Sequence, residues 1–226
     1  KFNNLFGGPA RKPESDLSQK EMDLARSIQE VTEEIVIKIA KNVKKITGEK
    51  YLCLAGGVAL NCVSNGKLLR HKIFNDIYIQ PAAGDAGGAI GCALITWYQH
   101  LNNKRIIDNN NDFMNGSYLG PEYSNNEILN FLKKNNYKYH KLSDSELSEK
   151  VADLIADNKV IGWFQGRMEF GPRALGSRTI IGDARSPETQ KTINLKIKYR
   201  ESFRPFAPSI RSENISEYFD LDCESP

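Results

Sequence analysis

Twelve residues in the second half of the chain concentrate side chains that bind anions. Residues 167–178, RMEFGPRALGSR, place three arginines and one glutamate around two glycines and a proline. Guanidinium groups fork onto carboxylate or phosphate oxygens, and a Gly-Pro turn holds them at a fixed angle. We call this segment the arginine loop, and its composition predicts a site for a phosphorylated small molecule.

A second basic cluster follows within the segment NLKIKYRESFRPFAPS, residues 194–209, and comprises Lys196, Lys198, Arg200 and Arg204. Two such clusters so close in sequence predict one pocket for a phosphorylated ligand. The alternative is a solvated positive surface. Solvated surfaces seldom carry so many Gly, Pro and Phe residues among their charges, which favours the pocket.

Two glycine-rich segments form a further pair of candidate sites. Gly56 and Gly57, the first glycine turn, follow an apolar run and precede a helix-like stretch. Their N–H groups could approach an anion, or the glycines could serve packing alone. The second glycine turn, residues 81–88, holds Asp85, which either caps a helix or binds a metal or a Mg-nucleotide. Asn61 either contacts a ribose or base or points to solvent.

Hydrophobic periodicity and turn residues indicate the elements that position these segments. We expect an α/β (mixed α+β) fold, because helices and strands alternate along the chain. Residues 102–117 are polar and Asn-rich and predict a linker. The predicted elements are helices at 17–46, 58–70, 90–97, 124–136, after Ser143 and after Pro187, and strands at 51–55, 77–80, 160–164 and 179–181.

Composition excludes several classes of protein. The 226 residues carry a formal net charge of +3, which argues against a nucleic-acid binder. No apolar run approaches the roughly 18 residues of a membrane span. The four cysteines form no CxxC pair. We therefore predict a reduced, cytoplasmic protein in which Cys53 and Cys92, from apolar segments, are buried.

The motifs together resemble the NodU/CmcH-type O-carbamoyltransferases. The resemblance is carried, in this order, by LFGGPARKP, DLARSIQEVTEE, GGVALNCVSNGKL, QPAAGDAGGAIGCAL, GRMEFGPRALGSRTIIGDAR and NLKIKYRESFRPFAPS. It implies the second half of an actin-like ATPase-type (ASKHA) domain at residues 1–115 and the first part of a YrdC-like domain at residues 116–226. The chain would then be the central part of a longer enzyme, with a histidine-rich metal motif before it.

The same resemblance implies a reaction. The family forms carbamoyl-adenylate from ATP and carbamoyl phosphate and transfers the carbamoyl group to a hydroxyl of a small-molecule acceptor. ATP, Mg²⁺ and iron, or a similar divalent metal, are the implied cofactors. No nucleic acid or membrane partner is expected, and self-association into a homo-oligomer is open.

Site residues carry over position by position. Arg173, Lys198 and Arg204 match the residues that grip carbamoyl phosphate and the adenylate phosphate. Gly56, Gly57 and Asn61 match the nucleotide-binding turn, and Asp85 matches the metal ligand. We place Arg167 and Arg178 beside the bound phosphates, and Glu169 as the carboxylate that orients these arginines.

Two other functions fit part of the pattern. An actin-like sugar kinase or ATPase would use both glycine turns but would leave the arginine loop without a role. The other alternative is an inactive fragment that acts as a binding module. Formation of a phosphorylated sugar would favour the kinase.

Overall fold

A computed structural model describes residues 1–108, 110–221 and 223, and it confirms the α/β class. The contacts divide the chain into two compact units. The larger unit comprises Asp16–His140 and Gly162–Thr179, and the smaller one Lys1–Ser15, Lys141–Ile161 and the chain from Ile180 onward. The arginine loop thus belongs to the same unit as both glycine turns. The ASKHA and YrdC-like assignments, and a boundary after residue 115, stay predictions.

The secondary structure follows the predicted order closely. The α-helices of the described residues are α1 (Phe2–Leu5), α2 (Gln19–Thr47), α3 (Cys62–Arg70), α4 (Asp85–Ile95), α5 (Asn125–Lys134), α6 (Asp144–Ala156), α7 (Pro187–Thr192) and α8 (Ile215–Tyr218). The strands are β1 (Tyr51–Leu54), β2 (Asp76–Ile79), β3 (Ile161–Phe164) and β4 (Arg178–Ile181). Short 3₁₀ turns lie at Gly57–Leu60, Asn115–Ser117 and Ser212–Asn214, and π-helical turns at Thr96–His100 and Ile193–Ile197. None of the described helices is both long and apolar enough to cross a membrane.

Local sequence signals set the ends of these helices. Ser124 and Ser143 each form a capping box with the glutamate three residues later, at the starts of α5 and α6. Gly48 ends α2 in the left-handed conformation, with φ of 69°. Pro187 occupies the first turn of α7, where its missing N–H leaves no bond unmade.

A small apolar core in the larger unit positions the glycine turns. Ala40, Leu68 and Phe74 are its buried members. The half-buried residues around them come from α2, β1, β2 and Ile73, which precedes β2. β1 and β2 pair in parallel with Tyr51 opposite Asp76. Because parallel strands point the same way, the segments that follow them emerge at one edge of the sheet.

The apolar residues of α2 do not by themselves mark the face that packs against this core. Ile28, Ile35 and Ile39 are at least half exposed, whereas Ala40 and Glu33 are buried. The apolar residues of α2 cover an arc wider than one stripe, so periodicity identifies the helix without identifying its packed face.

The expected burial of two cysteines is wrong. Cys53 and Cys92 are free thiols, as predicted, but both are exposed. Cys53 alternates with the half-buried Leu52 and Leu54 on a strand with one covered face, and so projects from the other face. Cys92 lies on α4, which has no buried residue.

In the smaller unit, which contains the second basic cluster, two contacts fix the chain between β4 and α7. Gly182 allows β4 to approach α7 closely, because a Cβ there would lie 2.5 Å from the Thr189 Cγ2 atom. Asp183 accepts hydrogen bonds from the side chain and backbone N–H of Arg185, and these lower its pKa to about 2. Both contacts fix the chain as it enters α7.

The second glycine turn has a tight steric requirement that yields a test. A Cβ on Gly87 would lie 2.1 Å from the Ala82 carbonyl oxygen, so Gly87→Ala must displace the turn. We expect it to lower the free energy of unfolding by about 1–3 kcal/mol. Gly91→Ala is the matched control, because a Cβ on Gly91 meets nothing within 4 Å. In an α-helix that change should stabilise by about 0.5–1 kcal/mol. Urea unfolding curves would measure both, and equal midpoints would contradict this packing.

Candidate functional site

The two glycine turns meet in one cleft at the carboxyl ends of β1 and β2. The Gly56 N–H donates to the Ala83 carbonyl at 2.6 Å and ties the first turn to the second. Both turns line an open cavity of about 590 Å³, together with Cys53, Tyr78 and Gln80. Ligands of α/β sheets bind beyond the carboxyl ends of parallel strands, so this cleft is a candidate nucleotide site.

Asp85 is one of the residues that line this cleft. It is the first residue of α4 and is exposed, while Gly84 occupies the N-cap position. No side-chain capping bond is made at this helix start, so the interpretation of Asp85 as a hydrogen-bonding cap gains no support. The carboxylate is therefore available to a ligand, although the helix dipole also favours it there.

Asn61 has a local structural role. Its Oδ1 accepts from the Ser64 N–H at 3.1 Å and caps α3, while its Nδ2 donates to Gln29 Oε1 at 2.9 Å. It lies outside the lining of the cleft. Tyr78, which sequence reasoning did not select, lies in the cleft instead. Burial raises the pKa of its phenol, and the nearby Asp112 raises it further, so Tyr78 stays a neutral hydrogen-bond donor.

Glu169 organises the arginine loop from inside. Its side chain is fully buried, and its Oε1 accepts from the N–H groups of Leu175 and Ser177, both at 2.7 Å. Its Oε2 lies 3.5 Å from Arg178 Nε, as an ion pair without a hydrogen bond. Burial alone would raise the pKa of Glu169, but the N–H donors and the guanidinium outweigh it and the pKa is lowered. The carboxylate is thus ionised and holds the loop through backbone N–H groups. Of the two arginines that we expected it to orient, Arg178 faces it, whereas Arg167 pairs with Glu122.

Two of the three arginines of this loop also bind protein groups. The Arg178 Nη2 donates to the carbonyls of Gly171 and Arg173, two residues of the same loop. Arg167 Nη1 donates to the Gly120 carbonyl at 2.9 Å, and its Nη2 pairs with Glu122 at 3.0 Å. These two guanidiniums therefore hold the loop itself.

Arg173 differs from both. It is exposed, and its guanidinium forms no hydrogen bond or ion pair with the residues that the structure describes. A fixed backbone that presents one unpaired guanidinium is suited to binding an oxyanion. The loop also contacts the second glycine turn: a Cβ on Gly171 would lie 3.0 Å from the Ala82 Cβ.

The last residue of the predicted linker, Ser117, and the four residues after it belong to this site. The Ser117 and Pro121 carbonyls accept from the N–H groups of Phe170 and Met168, at 2.6 and 3.0 Å. Gly120 donates to the Met168 carbonyl at 2.9 Å. We call residues 117–121 the strap. The Gly-Pro pair at its end was the available signal, but nothing in the sequence indicates which segment the strap contacts.

Asn194 organises the second basic cluster in the smaller unit. This fully buried side chain accepts from Arg200 Nε at 2.6 Å and donates to the carbonyls of Ser202 and Arg204 at 3.1 and 2.8 Å. Lys198 and Arg204 remain exposed at the ends of the segment that it holds. They belong to one unit and Arg173 to the other, so a shared phosphate pocket stays a prediction.

The described residues do not supply a complete metal site. They contain no group of three or more His, Cys, Asp or Glu side chains that could hold a metal ion. Asp85 would contribute a single carboxylate, which suits Mg²⁺ or iron only with ligands from elsewhere.

Comparison with known proteins settles the family. The sequence model of the carbamoyltransferase N-terminus matches residues 1–94, and that of the carbamoyltransferase C-terminus matches residues 152–226. The chain belongs to the carbamoyltransferase family. Both glycine turns lie within the N-terminal match, whereas the arginine loop and the second basic cluster lie within the C-terminal match.

Individual relatives agree with this assignment. An uncharacterised protein of Synechocystis is 58% identical over the whole chain, and the nodulation protein NolO of Bradyrhizobium diazoefficiens is 42% identical over 93% of it. The 3'-hydroxymethylcephem-O-carbamoyltransferase of Streptomyces clavuligerus is 28% identical over 77% of it. This carbamoyltransferase-family chain spans 37%, 38% and 31% of the lengths of these relatives.

The buried carboxylate of Glu169 gives a test of how the arginine loop is held. Glu169→Gln removes the charge that faces Arg178 and should lower the free energy of unfolding at pH 7 by about 2 kcal/mol. Because the folded-state pKa lies below the ordinary 4.5, this stabilisation is present above that pH and is lost as pH falls through the lowered pKa. The difference between the two proteins should therefore shrink toward about pH 3.

Urea unfolding at both pH values would check this expectation. Glu149→Gln is the matched control, because Glu149 is an exposed residue in α6. It should change the unfolding free energy by less than about 0.5 kcal/mol. A Glu169→Gln protein as stable as the control at pH 7 would show that the carboxylate does not hold the loop.

Proposed function

We propose that this chain supplies the nucleotide-binding and phosphate-binding loops of an ATP-dependent O-carbamoyltransferase. The enzyme would form carbamoyl-adenylate from ATP and carbamoyl phosphate and pass the carbamoyl group to a hydroxyl of a small-molecule acceptor. Family membership supports carbamoyl transfer, and one relative is named for transfer to an oxygen of a hydroxymethylcephem. The unpaired guanidinium of Arg173 is the observation that carries the phosphate assignment.

The chemistry requires cationic residues at two leaving groups. For atoms to balance, one carbamoyl phosphate, one ATP and one water give carbamoyl-adenylate, pyrophosphate and inorganic phosphate. Both phosphorus-containing leaving groups are anions, and negative charge develops on each as its bond breaks. Fixed guanidinium and ammonium groups stabilise such charge, and do so best where water is excluded.

Each basic residue has a distinct part in this proposal. In the larger unit, Arg173 would fork onto phosphate oxygens. In the smaller unit, Arg204 would do the same, and Lys198 would act there as a compact charge. Arg167 and Arg178 would act through the loop, because their guanidiniums already bind Gly120, Glu122 and the loop carbonyls.

The glycine cleft would bind the nucleotide. Gly57 begins a helical turn, where anions are favoured, and its backbone is exposed. Gly56 shapes the turn, because its own N–H already binds the Ala83 carbonyl. Asp85 would serve the later transfer step, as one ligand of a metal that, when bound, polarises the carbamoyl carbonyl or the acceptor hydroxyl. The proposal therefore separates adenylate formation, which needs Arg173, from transfer, which needs Asp85.

Two variants of the natural full-length protein test this separation. Arg173→Ala should lower carbamoyl phosphate-dependent ATP–pyrophosphate exchange by about 10² to 10³, because a charged donor to the transition state is lost. Asp85→Ala should retain the exchange, lose transfer to a hydroxylated acceptor and bind less metal. Labelled pyrophosphate, labelled carbamoyl phosphate and metal analysis would measure the three quantities.

Arg105→Ala provides the control, since Arg105 is an exposed arginine of the polar segment before the strap. It should leave both activities unchanged. Undiminished exchange in Arg173→Ala would refute the phosphate assignment. Unchanged metal content in Asp85→Ala would show that this carboxylate is no ligand.

A further inference from the structure

The second basic cluster is contacted by a segment from the beginning of the chain. Arg11 and Glu14, which we call the N-terminal brace, bind Glu201, Ser202 and Phe203 in the smaller unit. The brace lies within the N-terminal family match and its partners within the C-terminal match. Some 190 residues separate the paired side chains in sequence, so the contact joins the two family regions.

The ion pair of the brace is largely withdrawn from water. The Arg11 guanidinium pairs with the Glu201 carboxylate, and the two side chains are only 15% and 29% exposed. Arg11 also donates to the carbonyls of Lys12 and Ser15, and its guanidinium carbon lies 5.9 Å from the centre of the Phe203 ring. A charge pair held in this way fixes orientation better than an exposed pair does.

Glu14 adds a second attachment at Ser202, the residue after Glu201. Its two carboxylate oxygens accept from the backbone N–H and the hydroxyl of Ser202, each at 2.8 Å. These hydrogen bonds lower the pKa of Glu14, so it is ionised at neutral pH. Its backbone is left-handed, with φ of 59°, and its N–H donates to Glu201 at 3.3 Å. Both residues of the brace, Arg11 and Glu14, therefore bind defined groups in residues 201–203.

The residues held by the brace lie between the two exposed cations that we assign to phosphate. Asn194 binds the Ser202 and Arg204 carbonyls from within the smaller unit. The brace binds the N–H and side-chain groups of the same short stretch. Asn194 thus holds the carbonyls of this stretch, and the brace holds its N–H and side-chain groups. Lys198 and Arg204, at either end of the stretch, stay exposed.

We propose that Arg11 and Glu14 are positioning residues, which set Lys198 and Arg204 for binding phosphate oxygens. The N-terminal family region would then complete a phosphate site formed mainly by the C-terminal region. This inference rests on the proposed function. Displacing a charged donor by about 1 Å costs on the order of 10²-fold in rate, so loss of the brace affects catalysis without removing a cation.

Charge reversal in the natural full-length protein tests the brace. Arg11→Glu and Glu201→Arg should each lower kcat/KM for carbamoyl phosphate in the exchange reaction by about 10- to 100-fold. The double variant restores an ion pair and should recover to within about threefold of the wild type. Arg11→Gln, a milder change, should show a smaller loss. Arg26→Glu is the control, because it breaks an exposed pair with Glu30 on α2 and should have no effect.

The readouts separate positioning from stability. A brace that only stabilised the fold would lower the thermal midpoint and leave the KM for carbamoyl phosphate of the folded enzyme unchanged, which would overturn the inference. So would single variants with wild-type kinetics, or a double variant no better than either single one.

A calorimetric titration with inorganic pyrophosphate gives a result that does not depend on the reaction. Weaker binding in Arg11→Glu and recovery in the double variant would support the brace even if the wild type lacked exchange, in which case only the proposed reaction would fail. Equal pyrophosphate affinity in all variants would overturn the brace.

Discussion

Inside the arginine loop, the Glu169 carboxylate accepts two backbone N–H groups and faces the Arg178 guanidinium, which in turn binds two carbonyls of the same loop. A buried carboxylate costs free energy unless such partners are present, so the turn is stable only when all of them are in place. The backbone that carries Arg173 depends on this cluster. The strap and the second glycine turn then hold the outside of the loop.

A buried polar side chain also holds the backbone around the second basic cluster, although there it is an amide and not a carboxylate. There the buried amide of Asn194 binds side-chain and backbone groups, and an N-terminal arginine and glutamate bind the remaining polar groups. In both places, polar side chains hold the backbone that carries the cations. Arg173, Lys198 and Arg204, the cations that we assign to phosphate, are exposed, and so is Lys196.

Sequence reasoning succeeded where the signal is local. The helix starts predicted at Ser143 and Pro187 agree with α6 and α7, because each of these residues acts on its own backbone. It failed where partners come from afar. The packed face of α2, the exposure of Cys53 and the pairing of the strap with the arginine loop depend on which surfaces tertiary structure brings together. The pairing of Glu169 with Arg178 could be predicted because both residues lie within one loop, whereas the bond between Asn61 and Gln29 joins residues that are distant in sequence.

A crystal structure of the natural full-length protein soaked with carbamoyl phosphate would test the central claim most directly. The account predicts that the Arg173 guanidinium lies within about 3 Å of phosphate oxygens. It also predicts that the arginine loop keeps the conformation set by Glu169. A bound ligand with the Arg173 side chain directed into bulk solvent, or a loop rearranged so that Glu169 itself faces the ligand, would contradict it.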